Sequence, residues 1–476
     1  MKHSTNPWVI LLLVCLAQFM VILDATVVNV ALPSIKRDLG LSEANLQWIV
    51  NAYALLFGGF LLLGGRAGDL LGRKRLFLAG VVVFTTASLL NGLAVNSGML
   101  IGFRALQGLG AAFISPAALS IISTTFAEGK ERGKALGIWA AIASGGSAVG
   151  LVLGGVLTQA FSWPWIFFIN VPVGVVAFVL SLRLIPESTD SHAERSFDVA
   201  GAVTATGGLM VLVFAIVKAE SYGWGSVRTI GAFLVAFVLL AAFVAIELRS
   251  AAPLVRLSIF RVRSLTAANV VMLLVASGLF AMFFFNSLYI QRVLGYGPLK
   301  AGLAFLPFTA GIMVSAGIAS QYAAKVGVRV VAAVGMAITT AGLLWLTQIP
   351  VHGSYPVDVL APMLLTSLGM GLVFVVLTLV ATTGLEDADQ GLASGLFNTS
   401  QQIGGALGLA ILATLAASRS SGPTQKAALV HGFHWAFAGG AAFVAAALVV
   451  LVVMLRRRDV ERIAAAAEAA PALGGA

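Results

Sequence analysis

Asp24 stands inside an apolar run that begins near Trp8 and continues to Pro33, in the stretch VILDATVVNVALPSI. Arg104 interrupts a second such run, in RALQGLGAA. If these runs cross a bilayer, each charge costs about 2.5 to 3.5 kcal/mol even on the lenient insertion scale, so both residues should face a cavity or a partner. Two chemistries fit. A low-dielectric cavity favours the neutral carboxylic acid while a nearby cation favours the anion, and an acid held between those pulls can bind and release a proton. The alternative is a permanent ion pair that fixes two helices. Asn29 lies five residues after Asp24, about 140° round a helix, and so is free to bond a neighbouring helix. Asn29 and Gln107 are the other polar candidates for a cavity lining.

A second constellation is the basic segment GGRAGDLLGRKR, residues 64–75. A loop that only marks the cytoplasmic side needs positive charge and a tight turn, which is one reading of it. It also holds Asp69 beside Gly65, Gly72 and Arg73, and the other reading is a latch whose Asp69 and Arg73 contacts exist in one conformation and break in another. Gly146, Gly150 and Gly154 recur every four residues, with Gly155 adjoining. Small residues at this spacing let helix backbones approach closely, either as static packing or as a sliding contact between halves. His431 and His434 have no acid or cysteine nearby and read as a helix start, so no metal site is expected. Phosphate-loop, zinc-protease and serine-hydrolase motifs are absent, and no catalytic residue is assigned. The expectation is a protein that is not an enzyme and needs no cofactor beyond the proton.

The elements that must position these residues follow from composition. The 476 residues are 59% hydrophobic and only 10% charged, against about 25% charge in ordinary soluble domains. Fourteen hydrophobic segments, centred from Cys15 to Phe443, are each long enough to cross a bilayer core of about 30 Å as a helix. The first lacks a small-residue cleavage site and reads as a retained span. Its Cys15 is the sole cysteine, which leaves no intrachain disulfide and no cysteine metal cluster. Placing both termini in the cytoplasm puts about two-thirds of the 29 Lys and Arg residues on that side. The net charge of +10 then belongs to short loops and the tail RRRDVER, facing anionic lipid headgroups and no nucleic acid.

The chain also repeats itself. GIWAAIASGGSAVGL (137–151) aligns without a gap on GLFNTSQQIGGALGL (395–409), matching Gly146 to Gly404 and Gly150 to Gly408. GRAGDLLGRK has a worn counterpart in SQYAAKVGVR, with Gly72 opposite Gly327 and Lys74 opposite Arg329. Both matches shift the chain by eight spans. The simplest organisation is an all-α membrane protein of 6+2+6 helices: a six-helix bundle over 1–183, linkers and an inserted hairpin over 184–264, a second bundle over 265–455 and a cytoplasmic tail over 456–476. Two parallel six-helix halves around a central cavity is an arrangement in which one bundle rocks against the other.

LDATVVNVALPSI, GGRAGDLLGRKR, RALQGLGAA, FINVPVG, YGPLKAGLAFLPFTAG and GLASGLFNTSQQIGGALG occur in order and at family spacing. Together they resemble the fourteen-helix drug:proton antiporters of the major facilitator superfamily over nearly the whole chain. The resemblance implies the major facilitator fold and proton-driven efflux of amphipathic drugs or antibiotics across a bacterial inner membrane. It implies Asp24 as the proton carrier with Arg104 as its partner, Asp69 and Arg73 as charged positions of the loop motif, and the glycine rows as a rocking interface. The cargo would be a small amphipathic molecule, cations included, and the protein a monomer among lipids. An importer, or a lipid or natural-product translocator, is the alternative on the same scaffold; a membrane receptor without flux is a more distant one. The sequence departs from the family pattern where Leu151 follows Gly150 in place of proline, and where Pro164 replaces a common arginine. Later spans carry no central acid, which argues against a multi-proton mechanism.

Overall fold

A computed structural model describes residues 6–126, 130–188, 198–250, 253–382 and 387–455, and among them all regular structure is helical. The first long helices are α1 (Pro7–Leu39), α2 (Trp48–Leu71), α3 (Arg73–Gly92), α4 (Ser97–Thr125), α5 (Lys130–Ala160) and α6 (Asn170–Leu184). Two more, α7 (Val199–Tyr222) and α8 (Val227–Arg249), follow. The last six are α9 (Arg263–Leu288), α10 (Leu306–Val326), α11 (Val328–Leu346), α12 (Ala361–Thr382), α13 (Asp387–Ser418) and α14 (Gln425–Met454). Thirteen spans among the described residues are long and apolar enough to cross a membrane, and α5 carries a shorter apolar run, Gly145–Ala160. The protein is a multi-pass, fourteen-helix membrane protein. The tail and the acidic residue Glu386 lie outside the described residues, as do residues 189–197 of the first linker.

The helix ends follow local chemistry. Asn6 caps α1 by accepting from the Trp8 N–H at 3.0 Å, and Pro7 fills the first turn where no N–H partner is needed. The helix closes at Gly40, in the left-handed region at φ 62°, with Lys36 and Arg37 in its last turn opposite the negative end of the helix dipole. Asn96 and Thr424 cap α4 and α14 in the same way, accepting from Met99 N–H at 2.9 Å and Ala427 N–H at 3.2 Å.

Two compact units emerge from the packing. The first takes residues 1–212, 234–254 and 297–303, and the second takes 213–233, 255–296 and 304–476. In the first unit α1 packs on α4, α5 and α6, while α4 packs on α2 and α3 and α6 lies against α3. The second unit repeats the scheme with every helix number raised by eight: α9 packs on α12, α13 and α14, α12 on α10 and α11, and α14 on α11. Gly72 and Gly327, at φ 107° and 95°, make the same sharp break between α2 and α3 and between α10 and α11. Lipid is as apolar as a leucine surface, so such bundles are held by close packing and buried hydrogen bonds more than by hydrophobic burial.

Candidate functional site: a buried polar cluster on α1, α3, α4 and α6

In the first unit five helices, α1, α2, α3, α4 and α6, converge on Asp24. Asp24 is 0% and Arg104 1% exposed. Arg104, on α4, donates from Nη1 to Asp24 Oδ2 at 2.5 Å and to Gln107 Oε1 at 2.7 Å, and from Nε to the Ile49 carbonyl of α2 at 3.1 Å. Oδ1 of Asp24 accepts two more bonds, from Gln107 Nε2 at 2.8 Å and from Asn170 Nδ2, at the first residue of α6, at 3.0 Å. Both amides also donate to Ser88 Oγ on α3, at 3.2 and 3.0 Å, and the Ser88 hydroxyl itself donates to the Phe167 carbonyl at 2.9 Å. Asn91 completes the set by donating to Gln107 Oε1 at 2.7 Å. The Arg104 guanidinium lies 4.3 Å from the centroid of the Tyr53 ring, close enough for a cation–π contact.

The direction of these bonds has a chemical consequence. Arg104, Gln107 and Asn170 all aim donors at Asp24, so the cluster is complementary to a carboxylate. Protonating Asp24 would remove the counter-charge of a desolvated guanidinium, and a buried ion left without its partner is strongly destabilising. The charge on Asp24 is thereby tied to the arrangement of five helices, α1, α2, α3, α4 and α6.

A family model of the Major Facilitator Superfamily matches residues 14–409. The chain belongs to this superfamily. It is 40% identical over 437 residues to the cephamycin export protein of Amycolatopsis lactamdurans, covering 91% of this chain and 90% of that protein. It is also 39% identical to the puromycin resistance protein of Streptomyces alboniger, covering 89% and 84%. Among solved structures, a POT family transporter superposes with a TM-score of 0.69 at 17% identity, over 94% of this chain and 97% of that one, which shows the shared fold.

In this superfamily member the loop between α2 and α3 is tied to the end of α6. Glu187 accepts from the Lys74 N–H at 3.2 Å and faces Arg75 at 3.6 Å, while the Arg73 N–H donates to the Ser188 carbonyl at 3.0 Å. Lys74 Nζ donates to the Leu182 carbonyl of α6 at 2.8 Å, and Arg329, its sequence counterpart, donates from Nη2 to the Val452 carbonyl of α14 at 2.7 Å. Each thus caps the C-terminal end of the last helix of its own bundle. Gly72 packs against the Glu187 carboxylate, and Gly65 faces Pro116 at ordinary contact distance. The Asp69 side chain lies outside the described residues.

The glycine rows bring neighbours of one bundle together. Gly146, Gly150 and Gly154 of α5 meet Phe19, Ile22, Leu23, Thr26 and Val27 of α1, and Gly404 and Gly408 of α13 meet Leu273 and Ser277 of α9. Gly155 faces elsewhere, onto the backbone of Pro298 and Leu299 in a short helix of the first unit. Asn29 donates to the Ala25 and Thr26 carbonyls of its own helix at 3.3 and 3.4 Å. His431 and His434 each engage a backbone carbonyl, of Arg419 at 2.6 Å and of Ile349 at 2.7 Å.

Sequence reasoning brought Asp24, Arg104 and Gln107 forward but missed Ser88, Asn91, Tyr53, Asn170 and Glu187. Asn170 had a visible signal: it is the one strongly polar side chain in FINVPVG. Ser88 and Asn91 share a face of α3 at i, i+3 spacing, a pattern too common to single out.

Proposed function

We propose that this protein is a secondary transporter of a bacterial inner membrane that expels amphipathic drugs or antibiotics in exchange for protons, by alternating access. Relatives named for cephamycin export and for puromycin, tetracenomycin C and lincomycin resistance support the cargo class and the outward direction. The observation that carries proton coupling is the desolvated Asp24–Arg104 pair, held by Gln107 and Asn170 inside a transporter of this superfamily. Asp24 carries the proton, and Arg104 makes its charge state felt by α1, α2 and α4. Cargo entry and proton entry then compete, because each alters the same cluster. The α2–α3 loop, with Gly65, Asp69, Gly72 and Arg73, holds the cytoplasmic ends of α2, α3 and α6 in register during the switch. No cofactor other than the proton is needed, the transporter works as a monomer, and the basic loops place both termini in the cytoplasm.

The test is reconstitution in proteoliposomes with an internal pH dye, adding puromycin, lincomycin and ethidium in turn. Cargo-dependent proton movement in the wild type that is lost in a folded Asp24→Asn variant is the expected result. Normal coupled export by that variant would overturn the assignment of Asp24.

A further inference from the structure

The second bundle supplies an internal control for the polar cluster. Gly150 of α5 lies against Leu23, and its repeat partner Gly408 of α13 lies against Ser277, so Leu23 and Ser277 are equivalent and Asp24 corresponds to Gly278. Lys74 and Arg329 reach Leu182 and Val452, which places Asn170 opposite Gly440. The two correspondences meet in one contact: a Cβ on Gly278 would lie 2.9 Å from the Gly440 carbonyl oxygen. By the same registration, with Gly110 against Phe84 and Gly369 against Thr339, Arg104 corresponds to Met363 and Ser88 to Leu343.

The crossing of the first and last helices of a bundle therefore needs no polar side chain. In the second bundle it is closed by two glycines in close approach, whereas in the first the same node holds a carboxylate and the amide of Asn170. Helix packing does not account for Asn170. Its orientation is set on both sides: Nδ2 lies 3.0 Å from Asp24 Oδ1 and 3.0 Å from Ser88 Oγ, and Ser88 is anchored to Phe167 in the short helix Trp165–Phe168 just before α6.

We infer that Asn170 is a positioning residue for proton exchange at Asp24, its amide holding Oδ1 from α6 while Arg104 holds Oδ2 from α4. The inference rests on the proposed role of Asp24 as proton carrier. It also names α6 as the helix that registers the carboxylate's charge state, because a neutral acid at Asp24 weakens the bond that ties the start of α6 to α1. The charged and titratable groups around Asp24 are few. Arg104 faces it from α4 and Tyr53 contributes from α2 through the ring stacked on Arg104, while α3 and α6 present neutral Ser88, Gln107's partner Asn91 and Asn170, and α5 presents glycines.

The experiment is an infrared difference titration of the purified full-length protein, with the proton as the only probe. The carboxylic C=O band that vanishes in Asp24→Asn reports Asp24, and its midpoint is compared in wild type, Asn170→Ala, Asn170→Gln and Ser88→Ala. Loss of one donor to the anion favours the protonated acid, so Asn170→Ala should move the midpoint up by about one pH unit, a tenfold change in proton affinity. Asn170→Gln, which keeps an amide donor, should move it less. Ser88→Ala removes the anchor that the Asn170 amide shares with Gln107 and leaves both of their bonds to Asp24; it should give a smaller shift in the same direction and keeps the test open if Asn170→Ala fails to fold. A band that titrates at one midpoint in wild type, Asn170→Ala and Ser88→Ala overturns the inference and leaves Asp24 as carrier. A wild type with no titrating band assignable to Asp24 overturns the carrier reading and this inference with it.

Discussion

Arg104 Nη1 and Asp24 Oδ2 meet at 2.5 Å where the two residues are 1% and 0% exposed, so neither charge has water to fall back on. Removing either partner leaves the other charge buried and unpaired: Asp24→Asn strands the Arg104 guanidinium and turns an amide donor toward donors that faced a carboxylate oxygen, while Arg104→Ala leaves a carboxylate in low dielectric with only neutral donors. Each variant should cost about 3 to 5 kcal/mol, and the double variant should be less destabilised than the sum of the two. Thermal unfolding of the purified variants in detergent checks this. Additive losses would show that the pair is not coupled.

The polar cluster was partly legible from sequence because a charge in an apolar run is costly enough to need a reason, which is why Asp24 and Arg104 stood out. Asn170, Ser88 and Tyr53 did not, because neutral polar residues in spans are common and their significance depends on which helix faces which. That facing is set by the crossings at Gly110 on Phe84 and Gly150 on Leu23, which are tertiary facts. The repeat was legible for the converse reason: close crossings and the turns at Gly72 and Gly327 demand glycine, so glycine spacing persists where other residues have diverged. Glu187 gave no signal, since it acts from beyond the end of α6 on the first turn of a helix far away in sequence.

The α2–α3 turn should depend more on Gly72 than on Glu187. Gly72 combines φ 107° with a carboxylate where a Cβ would go, so Gly72→Ala meets both backbone strain and a displaced side chain. Glu187→Ala removes bonds to the Lys74 and Ser188 N–H groups and one partly exposed ion pair with Arg75, together about 1 kcal/mol. Melting temperatures should fall for Gly72→Ala and barely move for Glu187→Ala. A larger loss for Glu187→Ala would mean that the loop is held by charge and not by backbone shape.

Lys74 and Arg329 should behave as a matched pair. Each donates to the carbonyl end of the last helix of its bundle, a contribution of about 0.3 to 1 kcal/mol for a cation at a helix C-terminus. Arg263 adds two further bonds to the end of α14, to the Met454 carbonyl at 2.6 Å and the Val453 carbonyl at 3.1 Å. Arg329→Gln should therefore be better tolerated than Lys74→Gln, because α14 keeps a second cap. Hydrogen exchange at the last turns of α6 and α14 is the measurement; faster exchange at α14 in Arg329→Gln than at α6 in Lys74→Gln would contradict it.

The glycine rows allow a ranking from geometry alone. A Cβ on Gly146 would sit 3.3 Å from the side chains of Phe19 and Ile22, which can yield by a few tenths of an ångström. On Gly150 it would strike Thr26 Oγ1, which can rotate, and approach the Leu23 carbonyl oxygen at 3.0 Å. On Gly408 it would strike the Ser277 backbone at Cα, which cannot move without shifting α9. Overpacking typically costs about 1 to 3 kcal/mol, so Gly146→Ala should be nearly silent, Gly150→Ala intermediate and Gly408→Ala the most damaging to the melting temperature. Because Gly408 packs on Ser277 beside the Gly278–Gly440 crossing and belongs to a different compact unit from Asp24, Gly408→Ala should lower stability while leaving the Asp24 titration at its wild-type midpoint. A midpoint shift in that variant would show that packing in the second bundle reaches Asp24 in the first.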